Sequence, residues 1–181
     1  MQANSKNETP KVQIAILARI LELVGGSASI ERLSVLFLLV QKQILCQFGI
    51  VISANDRFSL GEKTCIELLA DSKKRDSFFN KLFLVENDIV SLTSIGLESI
   101  RRTDYESDFA IYGYLCDADN EIVTNTASSS LSEDEAKAEV VQFFGSNSEF
   151  QAWNEIIGQR KEWDAMNPHL RSYLIENELI R

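Results

Sequence analysis

The run Phe83-Leu-Val-Glu-Asn-Asp-Ile-Val-Ser-Leu-Thr-Ser-Ile-Gly-Leu-Glu-Ser-Ile-Arg-Arg102 decides how the rest of the chain is read. Two short leucine-rich and β-branched runs, 83–85 and 89–92, flank the turn-forming triplet Glu86-Asn87-Asp88, which is a hairpin signal. The second run ends in Leu92-Thr93, and a threonine there can cap a helix that starts at Ser94. Ile95, Leu97 and Ile100 supply the apolar positions of that helix.

A tight hairpin followed at once by a capped helix resembles the wing end of a winged-helix domain, in which Leu-Thr-x-x-Gly recurs at the strand-to-helix joint. Here the phrase is Leu92-Thr93-x-x-Gly96. Upstream, Thr9 as N-cap and Pro10 as first helical residue open a helix. Ile14, Leu17, Leu21 and Val24 form its stripe, and Gly25-Gly26 ends it. Ser27 or Ser29 caps a second helix running to about Gln47. Ile30, Leu33, Phe37, Val40 and Ile44 make one face of it, and Val35, Leu36, Leu38 and Leu39 fill most of the others. A helix apolar nearly all round must be covered on all sides, by neighbouring helices or by another polypeptide. Phe37, Leu38 and Leu39 are therefore candidates for a partner interface.

Phe48–Ile52 reads as a short strand. Ser59-Leu-Gly-Glu62 has capping-box spacing and opens a helix through Ala70. Asp71-Ser72 breaks it, and a further helix from Lys73 to about Leu82 takes the recognition-helix place of a helix–turn–helix followed by a hairpin.

After Asp104 the character changes. Residues 110–116 and 121–124 look like a second hairpin across Asp117-Ala-Asp-Asn120, although the first run is equally compatible with a helix. A serine-rich loop over 125–131 leads to the capping box Ser132-Glu-Asp-Glu135 and a helix to Phe144, terminated by Gly145. A helix from Ser146 or Ser148 carries Phe150, Trp153, Ile156 and Ile157, and Asn167-Pro168 caps a last one. The expected fold is mainly α with short β-hairpins, an α+β chain. It divides into a polar tail (1–8), a winged-helix domain (9–104) and an acidic α/β-hairpin extension (105–181).

Charge separates the halves. Residues 1–105 hold 13 Lys+Arg against 12 Asp+Glu, and residues 106–181 hold 5 against 15, so the first half is near neutral at about +1 and the second half carries about −10. An acidic half repels phosphates and suits a basic protein surface, or simply keeps the chain in solution. In the first half Lys73, Lys74, Arg75, Lys81, Arg101 and Arg102 are the candidates for nucleic-acid contacts. They are offset by Asp71, Asp76 and Asp104, and Glu86 and Asp88 at the wing tip oppose phosphate contact there. Tyr112, Tyr114, Trp153 and Trp163, aromatics amid few lysines, add to the partner-interface candidates.

Little in the sequence suggests covalent chemistry. The lone histidine, His169, sits in no recognisable catalytic sequence context with a serine or cysteine, and no glycine-rich phosphate loop occurs. Glu133, Asp134 and Glu135, with Lys137 beyond, faintly resemble a metal-dependent nuclease pattern. They open a helix, however, and fan around it at about 100° per residue, so a cap explains them better. Cys46, Cys65 and Cys116 lack metal-site spacing and read as reduced, buried thiols. No cofactor, metal site, signal peptide or membrane span is expected, and the expected location is the cytoplasm.

Thr9–Val24, the Leu33–Val40 run and Leu92-Thr93-x-x-Gly96, in that order, resemble the small winged-helix middle components of bacterial three-component ABC ATPase systems, including the small subunit of Lamassu-type defence complexes. The resemblance spans roughly residues 10–102. It implies a non-catalytic subunit that bridges a large chromosome-maintenance-like (SMC-like) ABC ATPase to an effector, with DNA contact within an anti-phage or anti-plasmid complex. The alternative is a winged-helix DNA-binding regulator or antitoxin-like protein.

Overall fold

The computed structural model describes residues 11–49, 52, 57–101, 111–145 and 168–178. Helix α1 (Lys11–Leu23) is buried along most of its length. Two glycines end it in left-handed conformations, with φ +101° at Gly25 and +93° at Gly26, and the Gly26 N–H closes on the Leu21 carbonyl at 2.6 Å. Strand β1 (Ser27–Ser29), which no sequence signal announced, follows. Its last residue doubles as a helix cap, since Ser29 Oγ accepts the Arg32 N–H and starts α2 (Ile30–Phe48). The expected cap at Thr9-Pro10 lies outside the described residues.

Helix α2 is the axis of the molecule, packed against α1 and against two helices of the second half. Phe37, Leu38 and Leu39 are 1%, 0% and 4% exposed, so the chain covers its own all-round apolar helix. Phe37 and Leu38 belong to the core and not to a partner surface, and Leu39, nearly as buried, reaches the surface only at the floor of a cleft. Each such burial contributes about 1.5–3 kcal/mol. The strand expected from Phe48 does not begin there: Phe48 is the last helical residue, and Gly49 ends α2 with a left-handed cap bonded to the Leu45 carbonyl.

The helix expected from Ser59 is replaced by a two-stranded hairpin, β2 (Phe58–Ser59) with β3 (Cys65–Ile66), and only α3 (Glu67–Ala70) is helical. The cause is competition for backbone donors. Thr64 N–H goes to Glu31, Ile66 N–H to Ser34 Oγ and Glu67 N–H to the Arg57 carbonyl, so no earlier helix can form. The helix expected over Lys73–Leu82 is also divided. Asp71 caps a single 3-10 turn, Ser72–Lys74, and Asp76 separately caps α4 (Ser77–Leu82) by accepting the Phe79 N–H at 2.7 Å. Lys73, Lys74 and Arg75 therefore precede the helix that was to carry them.

The hairpin of the opening stretch forms as expected from β4 (Phe83–Glu86) and β5 (Ile89–Leu92). Asn87 and Asp88 at its turn have φ +49° and +63°, the pair of left-handed residues that matches strand twist. The antiparallel sheet has the order β1-β5-β4. Thr93 then ties strand to helix. Its hydroxyl donates to the Lys81 carbonyl and accepts the Gly96 N–H, which caps α5 (Ser94–Arg101). Gly96 is required by contact: a Cβ there would press into the Leu82 carbonyl oxygen.

The second hairpin does not exist. A 3-10 turn, Ile111–Tyr114, leads into α6 (Asp117–Ala127), so Asp117-Ala-Asp-Asn is a first helical turn and not a strand connection. Asp119 makes it so by accepting the Cys116 N–H at 2.9 Å, a reciprocal cap. The described part of the extension is thus helical. The box at Ser132 and Glu135 opens α7 (Glu133–Gly145) as expected, and α8 (Pro168–Glu176) is the last described helix. The expected helix around Trp153 and the Asn167 cap lie outside the described residues. One core joins α1 and α2 to Ile122 and Val123 of α6 and to Ala136, Val140 and Phe144 of α7. The chain is mainly helical with a small antiparallel sheet, an α+β architecture.

Candidate functional site

The basic candidates are dispersed over three elements. Lys73 and Lys74 are exposed on the 3-10 turn, with Lys74 Nζ 3.6 Å from Glu67. Arg75 folds back, donating to the Leu69 carbonyl at 3.3 Å, and so braces its own loop. Lys81 and Arg101 are exposed near the ends of α4 and α5, and Arg102 lies outside the described residues. Helix α4 is only six residues long, buries Phe79 and Leu82, and turns the amide of Asn80 back to the Arg75 carbonyl. The hairpin turn is tied down. The Asp88 carbonyl accepts the Ile30 N–H at 2.8 Å, its carboxylate accepts Lys63 Nζ at 3.0 Å, and Ser29 pairs with Ile89 immediately after the turn. The turn therefore does not project beyond β1.

A polar clasp and a groove lie on the other side of α2. Lys137 Nζ of α7 donates to Glu31 Oε1 at 2.6 Å and to the Glu62 carbonyl at 2.7 Å, while Thr64 N–H reaches the same Glu31 oxygen at 3.2 Å. The Lys137 hydrogen bond and the Thr64 N–H hold the Glu31 carboxyl below its usual range. Beside the clasp runs a cleft of about 170 Å³, lined by Val35, Leu36 and Leu39 of α2, Leu131 of the loop, and Glu133 and Asp134 of α7. A second cleft of about 230 Å³ continues past Leu39 and Leu131 to Gln43, Gln47 and Asn125. Arg32 Nε stands 3.4 Å from Glu133, and Lys42 Nζ 2.7 Å from Glu139.

No protein-family model matches the chain, and no curated protein or solved structure matches it either.

Two of the three carboxylates at the start of α7 are already engaged in structural contacts. Glu135 takes the Ser132 N–H and hydroxyl, and these bonds lower its pKa, while Glu133 faces Arg32. Among the described residues no group of three His, Cys, Asp or Glu side chains is placed to hold a metal, and no helix is long and apolar enough to cross a membrane. His169 is exposed in the first turn of α8. The cysteines are free thiols but not uniformly buried: Cys116 is buried, Cys65 half-buried and Cys46 exposed. Burial pushes the Cys116 thiol above its ordinary pKa, and partial desolvation by its surroundings moves the exposed Cys46 the same way.

Of the aromatic interface candidates, Tyr114 is half-buried, with Lys11 Nζ 5.2 Å from its ring centroid. The side chain of Tyr112, and Trp153 and Trp163 entirely, lie outside the described residues. Sequence reasoning missed Asp119 and Arg171. Both are 0% exposed, they form an ion pair at 2.6 Å, and Arg171 also donates to the Tyr114 carbonyl at 2.5 Å. Nothing in a single sequence pairs residues 52 positions apart. Only the spacing from Cys116 to Asp119 hinted at the cap.

Proposed function

We propose that the chain is a non-catalytic accessory subunit, a winged-helix component that works by being held between larger macromolecules. The partners we infer are an SMC-like ABC ATPase and an effector in a cytoplasmic anti-phage or anti-plasmid complex, as in the small subunits of Lamassu-type systems. The element order and the sheet order β1-β5-β4 are compatible with a winged helix. The observation that carries the reading is the tethered turn. With Asp88 bonded to Ile30 and Lys63, and Glu86 and Asp88 exposed there, the wing presents acid and cannot reach into a groove of DNA. A six-residue α4 is a poor substitute for a recognition helix, which places several side chains against base edges. What remains for recognition is the groove along α2.

Co-expression with an SMC-like coiled-coil ABC ATPase from the same genome tests this. A stoichiometric complex that survives gel filtration is expected, and a chain that stays monomeric beside such an ATPase defeats it. Exposed Lys73, Lys74, Lys81 and Arg101 favour a second reading, a winged-helix regulator or antitoxin-like protein. Gel-shift titration in rising salt separates the two. The subunit alone should bind duplex no tighter than about 10⁻⁶ M, without sequence preference. Sequence-selective binding abolished by Lys73→Glu with Lys74→Glu would favour the regulator.

A further inference from the structure

The two clefts on α2 form one recognition groove, and we infer that its occupant is a basic amphipathic helix of a partner polypeptide. This rests on the reading of the chain as a partner-held subunit and specifies the chemistry of the surface used. Leu36, Leu39, Gln43 and Gln47 recur every three to four residues, so they line one face of α2. Leu36 and Gln43, one in each cleft, are seven residues apart, roughly 10 Å along the axis. That is the spacing of apolar anchors at i and i+7 on an opposing helix, the usual register of helix-in-groove recognition. Leu131 stands between the clefts and is 42% exposed, a large apolar side chain at the position where two anchors would straddle it.

Charge selects the sign of the occupant. Of the charged residues that line the two clefts, the acids Glu31, Glu133, Asp134 and Glu139 outnumber the bases Arg32 and Lys137. Lys137 is committed to Glu31 and Glu62, and from α2 only Arg32 and Lys42 offset the acids. Asp134, in the first cleft, has no ion pair among the described residues. A partner with lysines or arginines flanking its apolar stripe gains attraction from the acids of the α7 wall, and an acidic one is repelled.

The probe is a labelled peptide of about 15 residues, near the shortest length that holds a helix in water. It carries leucines at i, i+3 and i+7 and lysines elsewhere, and is titrated by fluorescence anisotropy into the full chain. Binding should saturate at least roughly tenfold tighter than for the same peptide with glutamates for lysines, a difference of about 1.4 kcal/mol. Leu131→Asp should weaken it roughly tenfold, and Asp134→Lys several-fold. Neither substitution touches a core residue, and far-UV circular dichroism checks that the helices persist. Equal binding of the two peptides, or no effect of Leu131→Asp, overturns the inference. So does a dimer in sedimentation that Leu131→Asp dissolves, because the groove then belongs to a second copy. An ATPase complex that retains the Leu131→Asp chain at full affinity removes the groove and leaves the subunit reading intact. Peptide binding without any ATPase complex does the reverse.

Discussion

The molecule joins its elements in two contrasting ways, at Thr93–Gly96 and at Asp119–Arg171. At the first, a threonine hydroxyl, a glycine and the carbonyls of Lys81 and Leu82 lock α4, β5 and α5 together with neutral bonds between residues at most 12 positions apart. At the second, a completely buried ion pair fastens α8 to α6 and to the Tyr114 carbonyl. Removing two charges from water costs several kcal/mol each, so the net gain from such a pair is small, while loss of one partner strands the other. The neutral joint tolerates partial damage. The charged one does not, and it fixes the register of a helix that otherwise turns Leu170 and Tyr173 outward, 45% and 56% exposed.

The largest effect expected is therefore at Arg171. Arg171→Ala should lose about 3–5 kcal/mol in urea unfolding, because the Asp119 carboxylate is left buried without its countercharge. Replacing both, Asp119→Leu with Arg171→Met, should recover most of that loss, less about 1 kcal/mol for the cap that Asp119 gives the Cys116 N–H. A single substitution costing less than 1 kcal/mol would erase the contrast between the two joints. At the other joint, Gly96→Ala is a test of sign. Alanine is the better helix former by about 1 kcal/mol, yet its Cβ meets a backbone carbonyl that cannot swing aside. We expect a net loss of about 1–3 kcal/mol, as for other overpacked sites. Thr93→Val, which keeps the shape and removes the cap, should cost about 1 kcal/mol.

The same contrast explains what could be read from the sequence. The Thr93 joint was legible because each of its parts, turn, cap and glycine, is a local signal within a few residues. The segment after Asp71 was misread because two capping aspartates five positions apart, Asp71 and Asp76, start two separate short elements where periodicity suggested one helix. The false hairpin around Asp117 arose from short apolar runs, which do not distinguish a strand from one side of a helix. The decisive bond there, from the Cys116 N–H to Asp119, serves a helix start. β1 is three residues of serine and alanine, with no strand propensity of its own, and exists because β5 offers it an edge. Of the candidate site, the acids of the α7 wall were legible as charge. The groove was not, because its floor is the face of α2 left between two helices whose packing no local pattern encodes.

The clasp at Lys137 repeats the chemistry of the Arg171 pair at the surface, and burial alone should make it respond differently. Glu31 and Lys137 side chains are 35% and 30% exposed, against none for Asp119 and Arg171. Water screens the clasp, so its contribution is about 0.5 kcal/mol or less. Because the Glu31 pKa is depressed on folding, that stability is complete above the unfolded value near 4.5 and disappears as pH falls through the lower folded value. The stability difference between the native chain and Lys137→Met should accordingly be constant at neutral pH and narrow below about pH 4.5. The bond from Lys137 to the Glu62 carbonyl does not titrate, so a residue of the difference should persist in acid. At 1 M salt, where the screening length is about 3 Å, the Lys137→Met difference should shrink at neutral pH while the Arg171→Ala difference holds. Equal salt sensitivity at the two positions would mean that water reaches both pairs alike, and the buried joint would then be no more demanding than the exposed one.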